Sequence, residues 1–250
     1  MKFRFSLLVC TLPVFLFAGA GTERSIISQE VELVHLLKAY TQSPYSDFRD
    51  SLARQFRNEL TGVLSSEKSL GYNFDSLRKY MSIVRSADGR LRTFSWDERD
   101  GGTWHNITSY AQFRGGDGLM HIEQLDTDSE DVSGAFSDVK IYSVHTVERN
   151  GRTAYLLLGA GTHGGGLHHA QARLFTIGHR GLELCSDAFN GTKEAVAEIP
   201  RTYPVSMSYD EQKQVLSYND YIWSDASAGK TRCLRNVELK LVNGRFRKSG

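Results

Sequence analysis

The sequence predicts a mainly β protein built from antiparallel meanders, in a propeller-like or sandwich arrangement, with an N-terminal α-helical segment. Up to Tyr80 the apolar residues recur at helical spacing, whereas beyond Met81 short runs of β-forming residues alternate with Gly, Asp and Asn. A weak internal repeat with a period of about 62 residues indicates that the meander recurs along the chain.

Residues 1–20 are predicted to form a signal peptide. Lys2 and Arg4 precede an uncharged apolar run from Phe5 to Phe17, and the small residues Ala18-Gly19-Ala20 follow it. This is the layout of a secretory leader, and the run is shorter than the roughly 20 residues that a membrane-spanning helix needs. We expect a periplasmic or secreted protein with no transmembrane segment once the leader is removed.

The charge balance excludes one class of partner, and the cysteines predict a cross-link. The chain has 30 basic and 29 acidic residues, and removal of Lys2 and Arg4 leaves 28 basic ones. A mature chain so close to neutral does not favour nucleic acid or an anionic membrane surface. The mature part keeps Cys185 and Cys233, and an even pair in an oxidising compartment predicts a disulfide. The alternative is two separate buried thiols.

Residues 21–80 are predicted to form a helical segment with two amphipathic helices separated by Pro44. Ser46 or Asp47 is a suitable N-cap for the second helix, and Gly62 with Ser65-Ser66 indicates its end. The residues expected to face the core are Ile27, Val31, Val34 and Leu37 in the first helix, and Phe48, Leu52, Phe56, Leu60 and Val63 in the second.

Residues 81–250 are predicted to form an antiparallel β domain. The expected strands are Met81–Ser86, Arg90–Trp96, Trp104–Arg114, Leu119–Gln124, Val139–Glu148, Arg152–Leu158, His168–Ile177, Leu182–Cys185, Val205–Ser208, Gln214–Tyr218, Thr231–Val242 and Arg245–Lys248.

The repeat is clearest where Asp88-Gly89-Arg90 is aligned with Asn150-Gly151-Arg152. A fainter third copy runs from Tyr209-Asp210 to Asn243-Gly244-Arg245. Each copy would hold four strands in an up-and-down meander, as in a propeller blade. Three copies are too few for an ordinary closed propeller. The sequence therefore leaves two alternatives open: a propeller-like or sandwich arrangement, and a single curved sheet or open barrel. We expect Asp88-Gly89 to form a type I′ turn.

The segment from Ser86 to Asp97, SADGRLRTFSWD, together with GGTWH at residues 101–105, resembles a signature of uncharacterised secreted bacterial proteins. The preceding YNFDSL at residues 72–77 is similar to the same proteins. The resemblance covers about a third of the mature chain and supports export and a β fold. It implies no activity. Alternation along this segment places Arg92, Phe94 and Trp96 on one face, which we expect to be the buried one.

Histidines in a glycine-rich segment are candidate metal ligands. Gly159–His169 contains three histidines, and the repeat correspondence adds His105. Neutral imidazole binds zinc well, so His105, His163 and His168 are the candidate set. His168 and His169 are adjacent and would point to opposite faces of a strand. The alternative is a solvated glycine loop.

An acidic segment is a candidate calcium loop. Its alternating oxygen ligands are Asp126, Asp128 and Glu130. The glycine and the twelfth-position glutamate of a calcium loop are replaced by Asp131 and Ser137, so an exposed acidic loop is the alternative.

Aromatic residues that we expect on connecting segments are candidate contacts for a partner. The cluster of residues 218–223, which we place between strands, offers Tyr218, Asp220, Tyr221 and Trp223, and Trp104 follows a glycine turn. Tyr and Trp on exposed loops often anchor protein partners or stack on sugars.

No nucleophile elbow, zincin helix, phosphate loop or paired-cysteine zinc motif occurs in the sequence. The leading hypothesis is therefore an exported binding protein without catalysis, such as an inhibitor, whose partner is an envelope protein or a glycan. The alternative is a metal-dependent hydrolase that uses His105, His163 and His168. The sequence gives no further indication of a cofactor beyond zinc or calcium.

Overall fold

The computed structural model describes residues 24–100, 102–125, 138–224 and 231–248; for residues 163–164, 222–224 and 231–232 it describes the backbone alone. The described chain begins with three helices and continues as antiparallel strands. The helices are α1 (Ile26–Gln42), α2 (Asp47–Leu64) and α3 (Glu67–Gly71), followed by a 3₁₀ turn at Leu77–Lys79. None of the described helices is both long and apolar enough to cross a membrane.

The described strands number thirteen. They are β1 (Ser82–Arg85), β2 (Leu91–Asp97), β3 (Ile107–Arg114), β4 (Met120–Gln124), β5 (Lys140–Arg149), β6 (Arg152–His163), β7 (Leu167–Ile177), β8 (Leu182–Leu184), β9 (Glu194–Pro200), β10 (Met207–Asp210), β11 (Val215–Ser224), β12 (Thr231–Val242) and β13 (Arg245–Lys248). The sequence did not predict β9, which alternates small apolar residues with charged ones.

The strands form three antiparallel meanders, which confirms the mainly β prediction. The first sheet has the order β1-β2-β3-β4, the second β5-β6-β7-β8 and the third β10-β11-β12-β13. Strand β9 pairs with β7 beyond the short β8. Each meander pairs strands that follow one another in the chain, which is the pairing that consecutive hairpins produce.

The helices and sheets are stacked in sequence order around three apolar cores. The first core joins the helices to the first sheet, and the second joins the first and second sheets. The third joins the second and third sheets. Because they pack on both sides, the first and second sheets bury both faces.

This stacking corrects the prediction that only one face of β2 is buried. Phe94 and Trp96 pack against the helices, and Leu91 on the opposite face packs against the second sheet. Strands covered on both sides lose the apolar-in, polar-out alternation of half-exposed strands. Thr93 and Ser95 are therefore fully buried as well.

The helix faces also differ from the prediction. In α1 the residues Leu33, Leu36 and Tyr40 are buried, whereas Ile27 and Val31 are exposed. Val34 and Leu37 contact the first core as predicted. Phe48 of α2 was also expected to face the core, but it is exposed. In α2 the Ser46 N-cap is confirmed, since its side chain accepts a hydrogen bond from the N–H of Arg49.

The turns of the repeats are of two kinds. Asn150-Gly151 and Asn243-Gly244 have positive φ at both residues, as a type I′ turn requires. At Asp88-Gly89 only Gly89 does, so the prediction of a type I′ turn there is wrong. The Asp88 carboxylate accepts hydrogen bonds from Ser86 Oγ at 2.6 Å and Arg90 N at 3.1 Å, which closes a wider turn. Asn243-Gly244 joins the last two strands of its sheet, whereas Asn150-Gly151 joins the first two strands of its own.

The predicted disulfide is not formed. Cys185 and Cys233 are free thiols, and they lie on different sheets of the stack. Cys185 follows β8, is half-buried and packs against the third core, while Cys233 lies exposed on β12 opposite Ile222. The prediction of a disulfide from the even count of cysteines is therefore wrong. A disulfide requires two cysteines that are close in space, and their positions in the sequence do not show this.

Candidate ligand-binding cleft

A cavity lies where the helical layer meets the ends of strands from the first two sheets. It has a volume of about 600 Å³. One wall is formed by the C-terminal half of α1 and by the segment of residues 78–81, and the other by the end of β2, the start of β5 and the end of β6. A cavity of this volume is in the range of sites for small molecules.

The charges that line the cleft are strongly unbalanced. Asp97 is the only acidic residue among its described lining residues, which include five cations. These cations are Lys38, Arg78, Lys79, Arg99 and Lys140. Within the described ranges none of the five forms a salt bridge. The cleft is therefore a region of positive potential in a chain that is close to neutral overall.

The one acidic residue is engaged by its neighbours. Asp97 Oδ2 lies 2.6 Å from Nδ1 of His105, and Asp97 Oδ1 accepts the N–H of Arg99 at 2.7 Å. The backbone N–H of His105 donates to the backbone carbonyl of Thr162 in β6 at 3.3 Å. Asp97 thus orients the imidazole at the mouth of the cleft through Nδ1, and Nε2 remains for a ligand.

Gly161, which lines the cleft, allows two backbone segments to come close together. A Cβ on Gly161 would lie 1.8 Å from the carbonyl oxygen of Asp138 and 2.5 Å from Cε1 of His169. The backbones of β6 and of the segment before β5 approach too closely there for any side chain. The same Asp138 accepts the Nε1–H of Trp104 at 2.7 Å and the N–H of Ile107 at 3.3 Å.

A smaller cavity of about 390 Å³ adjoins the mouth of the cleft. Asp97, Arg99 and His105 line both cavities, and Trp104, whose surface is 43% exposed, lines the smaller one. The predicted contact residue Trp104 and the predicted metal ligand His105 are therefore brought together beside the cleft.

A partly buried ion pair connects the segment after β2 to α2. Glu98 lies next to Asp97 in the chain, is almost fully buried and contacts Arg57 of α2 at 3.0 Å. Arg49 donates to the carbonyl of Glu98. Burial, reinforced by the charge of Glu98, raises the pKa of Tyr40. These contacts join the residue next to Asp97 to helix α2.

An aromatic ring forms part of the cleft wall. Tyr80 is 47% exposed, and the ammonium of Lys38 lies 5.5 Å from the centroid of its ring. A cation at this distance is attracted by the face of the ring.

The remaining predicted metal ligands are described only in part. His168 lies on β7, with Nδ1 3.1 Å from the hydroxyl of Thr162, and His169 points to the other face and is buried, as the alternation predicts. The side chain of His163 lies outside the described residues, as do Asp126, Asp128 and Glu130. Among the described side chains, no group of three or more His, Cys, Asp and Glu residues is placed to hold a metal ion.

The aromatic cluster lies in the third sheet, away from the residues that line the cleft. It belongs to β11 and does not lie between strands, which corrects the prediction. Burial raises the pKa of Tyr218, whose ring packs against the third core, and Asp220 faces Arg235 across the ladder. Tyr221 has its ring 6.3 Å from that of Tyr203, and the side chain of Trp223 is not among those described.

Sequence reasoning missed the cations of the cleft because they come from separate segments. Lys38 is in α1, Arg78-Lys79 precede β1, Arg99 follows β2 and Lys140 begins β5. Only the fold brings them together. Comparisons of the chain with protein-family models, with curated proteins and with solved structures gave no match.

Proposed function

We propose that this chain is an exported binding protein whose cleft takes a small ligand that carries negative charge. The observation that carries the proposal is the surplus of five lining cations over one carboxylate, with no described salt bridge to neutralise any of the five. Like charges gathered in a cavity repel one another, and an anionic ligand relieves this repulsion.

The lining also favours a ligand with a ring or an apolar body. The exposed ring of Tyr80 supplies a flat surface beside the charges, and His105 supplies an imidazole Nε2. A carboxylated or sulfated sugar, or a phosphorylated small molecule, combines these properties. A glycan was one of the partners expected from the sequence.

Binding is favoured over the alternative of a metal-dependent hydrolase by the chemistry of the lining. Lys and Arg are not metal ligands at neutral pH, and a surplus of cations repels a metal ion. The alternative needs His105, His163 and His168 to share an ion. Stoichiometric zinc in the purified protein, lost in a His105→Ala/His168→Ala variant, would favour the hydrolase.

The proposal is tested by measuring the binding of anionic probes to the full mature chain. Pyrophosphate, citrate and a sulfated disaccharide are titrated by calorimetry, each at two salt concentrations. We expect at least one probe to bind, with an affinity that falls as salt rises. A Lys38→Gln/Lys140→Gln variant should weaken that binding about tenfold or more, since a charge-assisted hydrogen bond contributes about 1.5–3 kcal/mol.

The matched control removes two cations elsewhere. Arg247 and Lys248 lie exposed on β13 in the third sheet, and an Arg247→Gln/Lys248→Gln variant has the same net charge as the cleft variant. It should bind like the unmodified protein. Equal weakening in both variants, or no binding of any of the three probes, would contradict the proposal.

A further inference from the structure

Three polar side chains form a relay where the second sheet meets the third, among residues that do not line the cleft. Ser143 Oγ lies 2.6 Å from Nε2 of His145, and Nδ1 of the same ring lies 2.7 Å from Oε1 of Glu211. Ser143 and His145 are two residues apart on β5 and so share one face of the strand, while Glu211 follows β10. The relay therefore joins two sheets.

The polarity of the relay is that of a nucleophilic triad. A carboxylate at Nδ1 holds the neutral ring in the tautomer that carries its proton there, which leaves Nε2 as an acceptor. Nε2 then accepts the proton of the Ser143 hydroxyl. This is the order hydroxyl, Nε2, Nδ1, carboxylate that activates serine in unrelated hydrolase folds.

The surroundings hold the imidazole and orient the serine. Strand β5 shifts its pairing register between Ile141 and Ser143, so that Tyr142 forms a bulge directly before the serine. Bulges redirect neighbouring side chains and are frequent next to active sites. The hydroxyl of Tyr142 donates to the carbonyl of Met207 at 2.6 Å, and the ring of Tyr209 lies edge-on to His145 at 5.2 Å between centroids.

The relay is open to a substrate. β5 is the edge strand of its sheet, Ser143 is partly exposed, and the side chain of His145 retains 17% of its surface. The side chain of Glu211 is 65% exposed and lies at the outer end of the relay. An acyl group carried on a larger molecule can therefore approach Ser143 from solvent.

We infer that Ser143, His145 and Glu211 form a hydrolytic site for carboxylic esters. Ser143 Oγ forms a bond to the ester carbonyl carbon while its proton moves to His145 Nε2. The tetrahedral adduct then breaks its bond to the alcohol oxygen, which takes the proton from Nε2. Water repeats the two steps on the acyl-serine, releases the carboxylic acid and restores the hydroxyl. Ser143 and His145 are the catalytic residues, and Glu211 is a positioning residue.

The test is covalent labelling of the full mature chain with a fluorophosphonate, whose fluoride an activated serine oxygen displaces. We expect labelling at Ser143, located by peptide mass mapping, and none in urea-denatured protein. His145→Ala should slow labelling about 100-fold or more. Glu211→Gln should slow it about tenfold, and Glu211→Asp, which keeps the carboxylate, should restore part of the rate. Hydrolysis of p-nitrophenyl acetate should follow the same order.

The control is Ser208→Ala, which removes an exposed hydroxyl on the neighbouring β10. It should label like the unmodified protein. Labelling is measured at Ser143 and the binding of anionic probes at the cleft, so failure of the two proposals can be told apart. Near-ultraviolet circular dichroism checks that each variant is folded. No labelling of folded protein, labelling at another serine, or a rate that His145→Ala leaves unchanged each overturns the inference.

Discussion

Gly161 shows how a single missing side chain shapes this protein. The carbonyl of Asp138 occupies the space where a Cβ would lie, so the cleft floor and the start of β5 depend on glycine at this position. Gly62 is different, because nothing lies within 4 Å of the position that a methyl group would take there in α2. Substitution of these two glycines by alanine should therefore change the free energy of unfolding in opposite directions.

Gly161→Ala should destabilise the protein by about 1–3 kcal/mol, because backbone must move to admit the methyl group. Gly62→Ala should stabilise it by about 0.5–1 kcal/mol, because alanine loses less backbone entropy in a helix. Urea unfolding followed by circular dichroism measures both changes. A neutral effect of Gly161→Ala would show that β6 and the Asp138 segment are not in contact.

Asp88 joins the first hairpin to the second sheet. Partial burial acts to raise the pKa of its carboxyl, but hydrogen bonds from Ser86, from the N–H of Arg90 and from the Tyr155 hydroxyl hold the pKa below its ordinary value. The Tyr155 bond is 2.8 Å long. The ionised form is therefore favoured in the folded state.

The sign of the pH dependence follows from this lowered pKa. The stabilisation by Asp88 is present above the unfolded pKa of about 4 and is lost as pH falls through the lower folded pKa. In denaturation curves between pH 5 and 2, Asp88→Asn should flatten the fall in the free energy of unfolding, and Tyr155→Phe should flatten it less. An identical slope in Asp88→Asn and the unmodified protein would refute this role.

At the scale of elements, Arg92 of β2 connects the first sheet to the helices. It is almost fully buried and donates to the carbonyls of Ser69 and Tyr72 at 2.6 and 2.5 Å and to Gln112 Oε1 at 2.6 Å. Burial, with the nearby charges of Arg85 and Arg78, lowers the pKa of Arg92 to about 9. The carbonyls at the end of α3 lack the N–H donors that a further helical turn would supply. The guanidinium of Arg92 donates to them instead.

Arg92→Met should destabilise the protein by about 2–4 kcal/mol, since methionine fills much of the volume but leaves buried carbonyls without a donor. Arg85→Met on the exposed side of β1 is the control and should change the free energy of unfolding by less than about 0.5 kcal/mol. The two variants are compared by the midpoints of their guanidinium unfolding curves, whose slopes should stay unchanged. Equal effects of the two substitutions would mean that the cap contributes nothing.

Most residues of the signature segment, residues 86–97 and 101–105, have structural roles. Ser86 and Asp88 close the turn, Arg92 caps α3 and Trp96 fills the first core. Ser95 accepts the N–H of Ile141 at 3.2 Å and so links the first sheet to the second. Trp96, Asp97 and His105 are the members of the segment that line the cleft. The resemblance to secreted bacterial proteins stays a prediction, and most of its residues are explained by the fold.

At the scale of the whole molecule, the stacked layers keep the two cysteines apart. Cys185 directly follows β8 of the second sheet, and Cys233 lies on β12 of the third. Burial raises the pKa of the Cys185 thiol, with a smaller opposing effect of Arg149. Cys233 is exposed, so the two thiols differ in accessibility.

With a thiol reagent at pH 8 in native buffer, we expect Cys233 to react first and Cys185 many times more slowly, because the thiolate is the reactive form. In denaturant both should react at similar rates. Mass mapping of the modified peptides assigns each rate to its residue. Two cysteines that react only after reduction would indicate the disulfide predicted from the sequence.

The sequence by itself determined the local character of this protein. Helical periodicity located the helices before Tyr80, and the Asn-Gly dipeptides at residues 150 and 243 determined their turns, because both signals depend on residues close together in the chain. Tertiary structure decided which helix face is buried, the burial of both faces of β2, the separation of the cysteines and the gathering of cations in the cleft. These depend on the stacking of sheets and helices, which brings together residues that are far apart in sequence and leave no local pattern.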